Sequence, residues 1–365
     1  MRILIVNPSS YVYGGAERVI VNLANYLSKN DVDTTLLTTG IHPDIESKLV
    51  NTEIILSTIE KLPHAEMMSL HKSIKQNEHR FDVINPHNYP SEMSVWGCKK
   101  PVVWQCNEPI LGIKNDYQPL STKLSNVLNL AIDRIVIKKY VDEVIVADLF
   151  NADRFYKVYD KIPQIIPYGI DVDDFNSVRN INFKSFNMIQ VGMIQPFKNQ
   201  LESLKIINTL KEDIPNIKLT LVGWALPTYK HVLDEYIKLN NLQEYVTFIQ
   251  HIDIPDEMKK LYLSHDLLLH PIHSQGGWLS PFEALCTELP IIVSKEFTAS
   301  GIIKQNDIGI VSDLNNYVKD VLEMYDNRKE VYMKAKKGKI WVNENLSWNR
   351  YSEQMLNVFN KVING

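Results

Sequence analysis

Residues 274–286 read Ser274-Gln275-Gly276-Gly277-Trp278-Leu279-Ser280-Pro281-Phe282-Glu283-Ala284-Leu285-Cys286 and predict a loop that leads into a helix. They follow Asp266-Leu267-Leu268-Leu269-His270-Pro271, an apolar run with the length of a buried strand. Ser280 suits an N-cap, Pro281 the first helical position and Glu283 the glutamate of a capping box. Free backbone N–H groups and the helix dipole would point at the glycine loop, so the stretch predicts an α/β fold that binds an anion here.

Composition limits the classes of protein that the chain can represent. At 365 residues, two domains are expected, and a net charge of −4 gives no indication of a nucleic-acid binder. The three cysteines have no metal-like spacing, which predicts a reducing, cytoplasmic setting. The first apolar run is too short for a signal peptide, and no segment has the roughly 18 uninterrupted apolar residues of a membrane span. Peripheral membrane contact stays open.

The first residues predict a strand, a glycine loop, a helix and a second strand. Residues 3–7 form a buried apolar run, residues 16–29 have helical periodicity, and residues 33–39 follow as a strand. The loop between them carries Gly14 and Gly15 but no G-x-G-x-x-G pattern, so a nicotinamide cofactor is not indicated. Close backbone approach to a ligand and a simple tight turn explain the two glycines equally well.

Polar residues follow two further predicted strands, at 82–85 and 102–105, and a third strand is predicted at 143–147. The polar clusters are Pro86-His87-Asn88-Tyr89 and Cys106-Asn107-Glu108-Pro109. Open α/β sheets bind ligands at the carboxyl ends of parallel strands, so both clusters are candidate binding positions. For His87 alone, a hydrogen-bonded histidine at the end of a strand is the favoured interpretation.

Residues 123–140 predict a long helix with a basic end. Its predicted apolar face is made of Leu124, Val127, Leu128, Ala131, Ile135 and Val136, and its basic residues are Arg134, Lys138 and Lys139. A basic amphipathic helix can lie on a membrane surface, whereas most amphipathic helices pack on a sheet. Packing on the sheet is the favoured interpretation.

The second half repeats the alternation of strands and helices after a polar linker around 170–185. Asp171-Val172-Asp173 looks superficially like an aspartate pair for a divalent metal, but a turn is favoured because aspartate is common in turns. Strands are predicted at 187–192, 219–223, 246–249, 267–270, 290–294 and 308–311, and helices at 229–240, 255–264, 314–325, 328–342 and 348–362. This pattern predicts two βα domains with a cleft between them.

Five separated segments carry a resemblance to a known family. They are Gly14-Gly15-Ala16-Glu17-Arg18; Trp104-Gln105-Cys106-Asn107-Glu108-Pro109; Pro167-Tyr168-Gly169-Ile170-Asp171 with Phe175; Val191-Gly192-Met193 with Lys198-Asn199; and residues 275–290. In this order the chain resembles a GT4-type retaining glycosyltransferase over nearly its whole length. The resemblance implies an α/β protein of the GT-B fold, with two Rossmann-like parallel-sheet domains facing a central cleft. It implies an acceptor-side domain at 1–170, a donor-binding domain at 171–347, and a last helix, about 348–365, packing back towards the first domain.

The resemblance also implies roles for single residues. Lys198, Asn107 and Gln275 would be catalytic, and His87 and Glu108 would lie on the acceptor side. The implied donor-binding residues are Gly14, Gly15, Gly192, Lys198, Gly276, Gly277, Trp278, Leu279, Ser280 and Glu283. A departing nucleoside diphosphate needs cations and N–H groups already in place, and Lys198 is the candidate cation. The alternative for Lys198 is a solvated lysine that begins a surface helix. Glu283 would bind the nucleotide ribose, and no metal site is expected.

Four positions depart from the family pattern. Gln275 occupies the first glutamate position of the motif, and Met193 stands where arginine is common on the donor diphosphate. Asn107 replaces a histidine, and Glu288 stands where glycine is common before the proline. Three of these positions, Gln275, Met193 and Asn107, lie in or near the expected active site, so an altered donor or lost activity stays open.

The predicted function is transfer of a sugar, with retention, from a UDP- or GDP-sugar to a glycan or lipid-linked acceptor in polysaccharide or glycolipid assembly. The nucleotide sugar is a co-substrate, and no other cofactor is expected. A catalytically silent protein that binds a partner enzyme or a glycan is the alternative. An epimerase on the same fold is less favoured, because the long acceptor-side domain and the GT4-like motifs argue against it.

Overall fold

The computed structural model describes residues 1–11, 13–58, 65–107, 109, 120–180, 185–250, 252, 254–273 and 277–365; the side chains of 120–129 are outside that description. The chain divides into two compact units. The first comprises Met1–Gly169 together with Trp348–Gly365, and the second comprises Ile170–Ser347. The sequence places the corresponding boundaries at 170/171 and 347/348.

The first unit is built on parallel strands. They are β1 (Arg2–Val6), β2 (Asp33–Thr38), β3 (Thr52–Leu56), β4 (Val83–Pro86), β5 (Val103–Gln105), β6 (Glu143–Val146) and β7 (Gln164–Ile165). Four of them pair in the order β3-β2-β1-β4, and β5-β6-β7 continue beside them. Single parallel bridges, Ile84 to Val102 and His87 to Gln105, join β4 to the β5 segment. From β1 the following strands are added on one side of the sheet, and from β4 they are added on the other side. The gap between the carboxyl ends of β1 and β4 is therefore the place where such sheets bind ligands.

The helices of the first unit connect and cover these strands. They are α1 (Gly15–Lys29), α2 (Pro43–Glu46), α3 (Ala65–Asn77), α4 (Leu120–Tyr140) and α5 (Leu149–Tyr159). The last helix of the chain, Trp348–Asn364, also belongs to this unit and contacts α1 and β4. Its Tyr351 hydroxyl donates to Oε1 of Gln105 at 2.8 Å, so this helix is tied to the carboxyl end of β5.

The second unit repeats the same plan. Its strands are β8 (Phe186–Val191), β9 (Ile217–Val222), β10 (Val246–Ile249), β11 (Leu267–His270), β12 (Ile291–Ser294) and β13 (Ile310–Ser312). They are parallel and lie in the order β10-β9-β8-β11-β12-β13. This is the strand order of a Rossmann-type sheet, in which the order of strand addition reverses between β8 and β11. The loops after β8 and β11 therefore meet at the position where a ligand is expected.

Helices pack around the second sheet. They are α6 (Val172–Phe175), α7 (Gln200–Leu210), α8 (Pro227–Leu239), α9 (Pro255–Leu263), α10 (Leu279–Cys286), α11 (Ser300–Asn306), α12 (Tyr317–Asp326) and α13 (Arg328–Asn345). All four residues of β11 are fully buried, as expected of a parallel strand that is covered on both faces. Helix α13 packs against α10, where Gly338 lets Leu285 approach its backbone.

Most predicted elements of the second half are confirmed, and β10 and β11 have the predicted bounds. Among the elements that were not predicted are β3, α3, α5 and α7. The predicted apolar face of α4 is partly wrong, because Ala131 and Ile135 are exposed whereas Asp133 is buried. Among the described residues, no helix is long and apolar enough to cross a bilayer.

Candidate functional site

The loop between β11 and α10 lies at the point where the second sheet changes direction. Gly277, Trp278, Leu279, Ser280 and Glu283 are described in this region. Ser274, Gln275 and Gly276 lie outside the described residues, so the predicted roles of Gln275 and Gly276 stay predictions. The opposing loop, after β8, contains Gly192, Met193 and Lys198.

Lys198 ends a short 3₁₀ turn, Pro196–Lys198, whose backbone is held from two sides. The buried side chain of Gln190 donates from Nε2 to the Lys198 carbonyl at 2.6 Å, and Ser203 donates to the Gln190 Oε1 at 2.7 Å. The next residue, Asn199, adopts a left-handed conformation and donates from Nδ2 to the Pro271 carbonyl at 2.9 Å. The turn that carries Lys198 is thus fixed to the loop that follows β11.

The Lys198 side chain lies against two glycines. A Cβ atom on Gly277 would be only 2.5 Å from Lys198 Nζ, and one on Gly192 would be 3.6 Å from Lys198 Cε. The φ angles of Gly277 and Gly192 are +141° and +142°, a region that favours glycine. The structure therefore brings three predicted donor-binding residues together, and Lys198 is half-buried rather than fully solvated.

His270 lies directly under this loop and was not predicted as a site residue. Its ring is fully buried, and neither nitrogen has a hydrogen-bond partner among the described residues. Its Nε2 would be 3.1 Å from a Cβ on Gly277. Burial, and then the nearby Lys198 charge, holds the pKa of His270 well below its ordinary value. The ring is consequently neutral at physiological pH and leaves the positive charge of the loop to Lys198.

Helix α10 begins two residues earlier than predicted, at Leu279. Trp278 is the N-cap and its own side chain makes no capping hydrogen bond, so the predicted N-cap role of Ser280 is wrong. The physical reason is the burial of Trp278, whose ring packs 4.8 Å from that of Phe282 one turn later and extends the helix backwards. Ser280 instead donates to the Val191 carbonyl at 3.4 Å, which ties α10 to the end of β8.

Glu283 lies on the second turn of α10 and is not a capping-box residue. Its carboxylate is nearly fully buried and accepts a hydrogen bond from the Tyr262 hydroxyl at 3.0 Å. Tyr262 is itself buried on α9 and packs edge-to-face on Phe175. The orientation of the carboxylate is thus set by an adjacent helix, as a residue that recognises hydroxyl groups requires.

The structure describes the surroundings of two departures from the family pattern, Met193 and Glu288. Met193 is 50% exposed at the end of β8, so its side chain fills no core position. Glu288 has a φ of +56°, which explains why glycine is common there. Its carboxylate accepts hydrogen bonds from Tyr332 at 2.5 Å and from Lys339 at 3.2 Å. These contacts offset the unfavourable backbone conformation.

The first unit carries a chain of hydrogen-bonded amides at its own sheet edge. The Tyr168 hydroxyl donates to Asn107 Oδ1 at 2.5 Å, and Asn107 Nδ2 donates to Asn88. Asn88 in turn donates to Asn7 Oδ1 at 2.6 Å, and Asn7 donates to Ser10 Oγ at 2.6 Å. The network joins the carboxyl ends of β1, β4 and β5. It places Asn107 at the predicted sheet edge; Glu108 lies outside the described residues.

His87 is fully buried next to this network. Its Nε2 is 2.7 Å from Asn85 Oδ1, and Nδ1 has no partner among the described residues. Burial lowers the pKa of His87 to about 3, so the imidazole is neutral. This geometry agrees with the favoured interpretation, a hydrogen-bonded histidine at a strand end, and the acceptor-side role stays a prediction.

Gly14 and Gly15 form the start of α1. Gly14 is the N-cap, and its N–H donates to Glu17 Oε2 at 3.1 Å. Its φ of −107° is open to other residues, so backbone conformation does not require glycine there. Of the two explanations for these glycines, the helix start is what the structure describes, and donor binding stays a prediction.

Two buried carboxyl groups lie behind the polar edge of the first unit. Glu92 follows β4, and Asp133 lies on α4 and accepts a hydrogen bond from the Tyr159 hydroxyl. Burial, together with repulsion from Asp133, raises the pKa of Glu92 well above its ordinary value. Burial raises the pKa of Asp133 to about 6. The folded unit therefore favours protonated carboxyl groups at this position.

Because of these two buried carboxyl groups, we expect the stability of the fold to fall as pH rises. A carboxyl whose pKa is higher in the folded state stabilises folding below its unfolded pKa, and that contribution is lost as pH rises through the folded value. Between pH 4 and 7 we expect Asp133 to reduce the free energy of unfolding by on the order of 3 kcal/mol. Calorimetry at several pH values should show that stability falls less with rising pH in Asp133→Asn than in the parent protein. The exposed Asp153→Asn is the control, and parallel curves for all three proteins would contradict the prediction.

Among the described residues, no three or more histidine, cysteine, aspartate or glutamate side chains form a group that could hold a metal ion. Residues 172–175, at the Asp171-Val172-Asp173 segment, form the short helix α6. Transfer without a metal stays a prediction.

Sequence reasoning gave no individual role to several residues that shape both sheet edges, although Asn88 and Asn199 stand in segments that it singled out. They are Gln190, Asn199 and His270 in the second unit, and Asn7 and Asn88 in the first. Asn199 and Asn88 both have positive φ angles, and asparagine is one of the few residues other than glycine that adopt this conformation readily, so asparagine in a loop is a signal for such a turn. The contacts of Gln190 and His270 depend on tertiary packing and leave no local signal.

Comparison with known proteins agrees with this architecture. A family model described as Glycosyltransferase Family 4 matches residues 13–174, and one described as Glycosyl transferases group 1 matches residues 171–339. The two matches together extend over most of the chain and define the class as a glycosyltransferase. The chain belongs to the group 1, GT4-type glycosyltransferases.

One curated relative and two solved structures illustrate the similarity. The chain is 27% identical over 232 residues to the O-antigen biosynthesis glycosyltransferase WclY of Escherichia coli, which covers 60% of this chain and 63% of WclY. The match therefore spans less than two thirds of that relative. Sucrose-phosphate synthase from Thermosynechococcus elongatus has a TM-score of 0.81 at 15% identity, covering 99% of both chains. HepE from Anabaena, in complex with UDP-glucose, has a TM-score of 0.80 at 14% identity, covering 99% of this chain and 100% of HepE. These structures confirm the predicted GT-B fold class.

Proposed function

We propose that the protein transfers a sugar from a UDP- or GDP-sugar to a glycan or lipid-linked acceptor in the assembly of a cell-surface polysaccharide or glycolipid. Membership of a glycosyltransferase family supports sugar transfer. The similarity to an O-antigen biosynthesis enzyme supports a polysaccharide product, and the binding of UDP-glucose by HepE supports a nucleotide-sugar donor. The enzyme would act in the cytoplasm, with peripheral contact at the inner face of the plasma membrane.

The observation that carries the proposal is the placement of Lys198 between Gly192 and Gly277. An anion that binds here meets one ammonium group and the start of α10, at the point where the sheet changes direction. The neutral His270 adds no second charge. This arrangement suits a diphosphate that gains negative charge as the sugar leaves.

The chemistry requires one bond to break and one to form at the anomeric carbon. The bond to the diphosphate oxygen breaks, the acceptor hydroxyl oxygen forms the new bond, and the hydroxyl proton passes to the departing diphosphate. We infer that both groups act on the same face of the sugar, which retains the anomeric configuration, and that Lys198 stabilises the diphosphate without a metal ion. Glu283, oriented by Tyr262, would accept hydrogen bonds from the ribose hydroxyls.

A silent binding protein is the second candidate. Both polar atoms of the Asn107 amide already accept or donate hydrogen bonds within the first unit. The exposed Met193 side chain offers a diphosphate no charge. These two positions favour a protein that binds a glycan or a partner and transfers nothing.

One experiment separates the two candidates. The protein is incubated with a panel of UDP- and GDP-sugars while released nucleoside diphosphate is measured, and UDP and GDP are titrated by calorimetry. Release, or slow hydrolysis, with at least one donor is expected. Nucleotide binding without release from any donor would favour the silent protein. If a folded sample neither binds UDP or GDP nor releases nucleoside diphosphate from any donor, the proposal is contradicted.

A further inference from the structure

Arg179 is a buried cation in the linker that follows α6, although arginine rarely occupies an interior position. Its guanidinium donates from Nη2 to the Tyr262 carbonyl at 2.7 Å and from Nε to the Thr287 carbonyl at 3.3 Å. Its Nη1 donates to the carbonyls of Leu263, at 3.3 Å, and His265. Burial lowers the pKa of Arg179 to about 10, so the group keeps its charge at physiological pH. A buried charge is costly unless it is hydrogen-bonded, and here its acceptors are backbone oxygens.

These acceptors lie at the ends of two different helices. Tyr262 and Leu263 are the last residues of α9, and Thr287 is the C-cap of α10. The final carbonyl groups of a helix lack partners within the helix and carry the negative end of its dipole, so a cation stabilises them. Because the guanidinium is planar and rigid, one side chain that reaches both ends fixes the spacing between α9 and α10.

The hydrogen bond between Tyr262 and Glu283 joins the same two helices. Tyr262 extends from α9, Glu283 extends from α10, and the hydroxyl donates to the carboxylate at 3.0 Å. Tyr262 is therefore held at two points, by Arg179 at its carbonyl and by Glu283 at its hydroxyl. A hydrogen bond weakens when its distance and angle change, so the orientation of the carboxylate depends on the spacing that Arg179 sets.

The segment that leads to Arg179 packs on α9 as well. The Phe175 ring lies edge-to-face against the Tyr262 ring, with 5.8 Å between the ring centroids. Lys259, on α9, donates from Nζ to the Asp174 carbonyl at 2.7 Å. These contacts give the backbone that carries Arg179 a fixed position relative to that helix.

We propose that Arg179 is a positioning residue for ribose recognition, which fixes the Glu283 carboxylate through Tyr262. The guanidinium sets the spacing of α9 and α10, and this spacing places the carboxylate where the ribose hydroxyls of the donor bind. The inference deepens the proposed function and rests on it, because the ribose role of Glu283 belongs to that proposal. Arg179 acts through these two residues and not on the reacting atoms.

The first test compares nucleotides with and without ribose hydroxyls. UDP and GDP, and their 2′,3′-dideoxy forms, are titrated by calorimetry into the parent protein and into Arg179→Met, which keeps the apolar stem and removes the donors. Ribonucleotide affinity should fall about 10-fold or more, since hydrogen bonds to a charged group are lost. Dideoxynucleotide affinity should stay within about 2-fold, because these ligands do not use the carboxylate.

A double variant tests whether Arg179 acts through Glu283. The preference for ribonucleotide over dideoxynucleotide should be no lower in Arg179→Met with Glu283→Ala than in Glu283→Ala alone, because residues that act through one group are not additive. Arg328→Met is the matched control. Arg328 also donates to a backbone carbonyl in this unit, that of Ser185, at 2.8 Å. Its substitution should leave the preference within about 2-fold.

The second test needs no nucleotide. Amide hydrogen exchange, followed by mass spectrometry on the full chain, should be about 10-fold faster in α9 and α10 of Arg179→Met than in the parent, and unchanged in α12. Arg328→Met should leave exchange in α9 and α10 unchanged. If Arg179→Met does not fold, Arg179→Lys replaces it, since one ammonium group cannot span both helix ends. Changes in the same direction are then expected.

Three results would overturn the inference. They are an unchanged ribonucleotide preference in the folded Arg179 variant, equal losses for ribonucleotide and dideoxynucleotide, and parent-like exchange in both helices. If the parent protein binds neither UDP nor GDP, the proposed function fails and the ribose role of Arg179 fails with it. The exchange measurement still decides whether Arg179 joins the two helices, so the two failures are distinguishable.

Discussion

Replacing Lys198 by alanine is expected to lower turnover about 100-fold or more while leaving the protein folded. The loss follows because the ammonium group would stabilise the charge that develops on the departing diphosphate, and removing one such preorganised group typically has an effect of this size. The neutral His270 cannot substitute, since burial, the larger cause of its lowered pKa, remains when the Lys198 charge is removed. The measurement is the rate of nucleoside diphosphate release with the best donor of the panel.

Lys205→Ala is the matched control, because Lys205 is an exposed lysine on the following helix that pairs with Glu202 at 3.1 Å. It should retain nearly full turnover. The Gln190 side chain donates to the backbone carbonyl of Lys198, so Lys198→Ala should keep this hydrogen bond and melt within a few degrees of the parent. A variant that melts normally and turns over within 3-fold of the parent would remove Lys198 from the proposed mechanism.

Continuous apolar runs explain why much of the fold could be predicted from sequence. Parallel strands covered on both faces read as unbroken runs, and β11 begins after Asp266 and ends before Pro271, as predicted. Of the two glycines whose positive φ angles shape the site, Gly192 was singled out through the family resemblance and Gly277 by its position in a glycine loop after a strand. Both signals are local, so neighbouring residues suffice to read them.

The errors occur where tertiary packing overrides a local rule. Serine is a residue type typical of an N-cap, but burial of Trp278 against Phe282 moves the start of α10 ahead of Ser280. On α4, helical spacing placed Ile135 with the core, whereas the Tyr159 hydroxyl gives the buried Asp133 a partner and rotates that face inward. A sequence does not show which distant residue will satisfy a buried polar group.

The same limit applies to the amide network of the first unit. Asn7, Asn88 and Asn107 are far apart in the chain and meet only because β1, β4 and β5 end at one edge of the sheet. From sequence, Asn107 was predicted as a catalytic residue that stands in a polar cluster after a strand and replaces a histidine. The structure shows an amide that accepts from the Tyr168 hydroxyl and donates to Asn88.

Gly277→Ala is expected to reduce turnover to nearly the level of Lys198→Ala. Alanine at a φ of +141° strains the backbone by about 1–3 kcal/mol, and its Cβ would lie 2.5 Å from Lys198 Nζ and 3.1 Å from His270 Nε2. The buried imidazole has little room to move, so the flexible lysine end must leave its position. Affinity for UDP or GDP should fall together with turnover, because the displaced ammonium group no longer faces the anion.

Combining the two substitutions tests this displacement directly. If Gly277→Ala acts by moving Lys198, the double variant should turn over no more than about 3-fold slower than Lys198→Ala alone, since residues that act through one group are not additive. Gly301→Ala is the control, because a Cβ there meets no atom within 4 Å and its φ is not in the positive region. Fully additive losses in turnover would instead show that Gly277 serves the site through its own backbone, independently of Lys198.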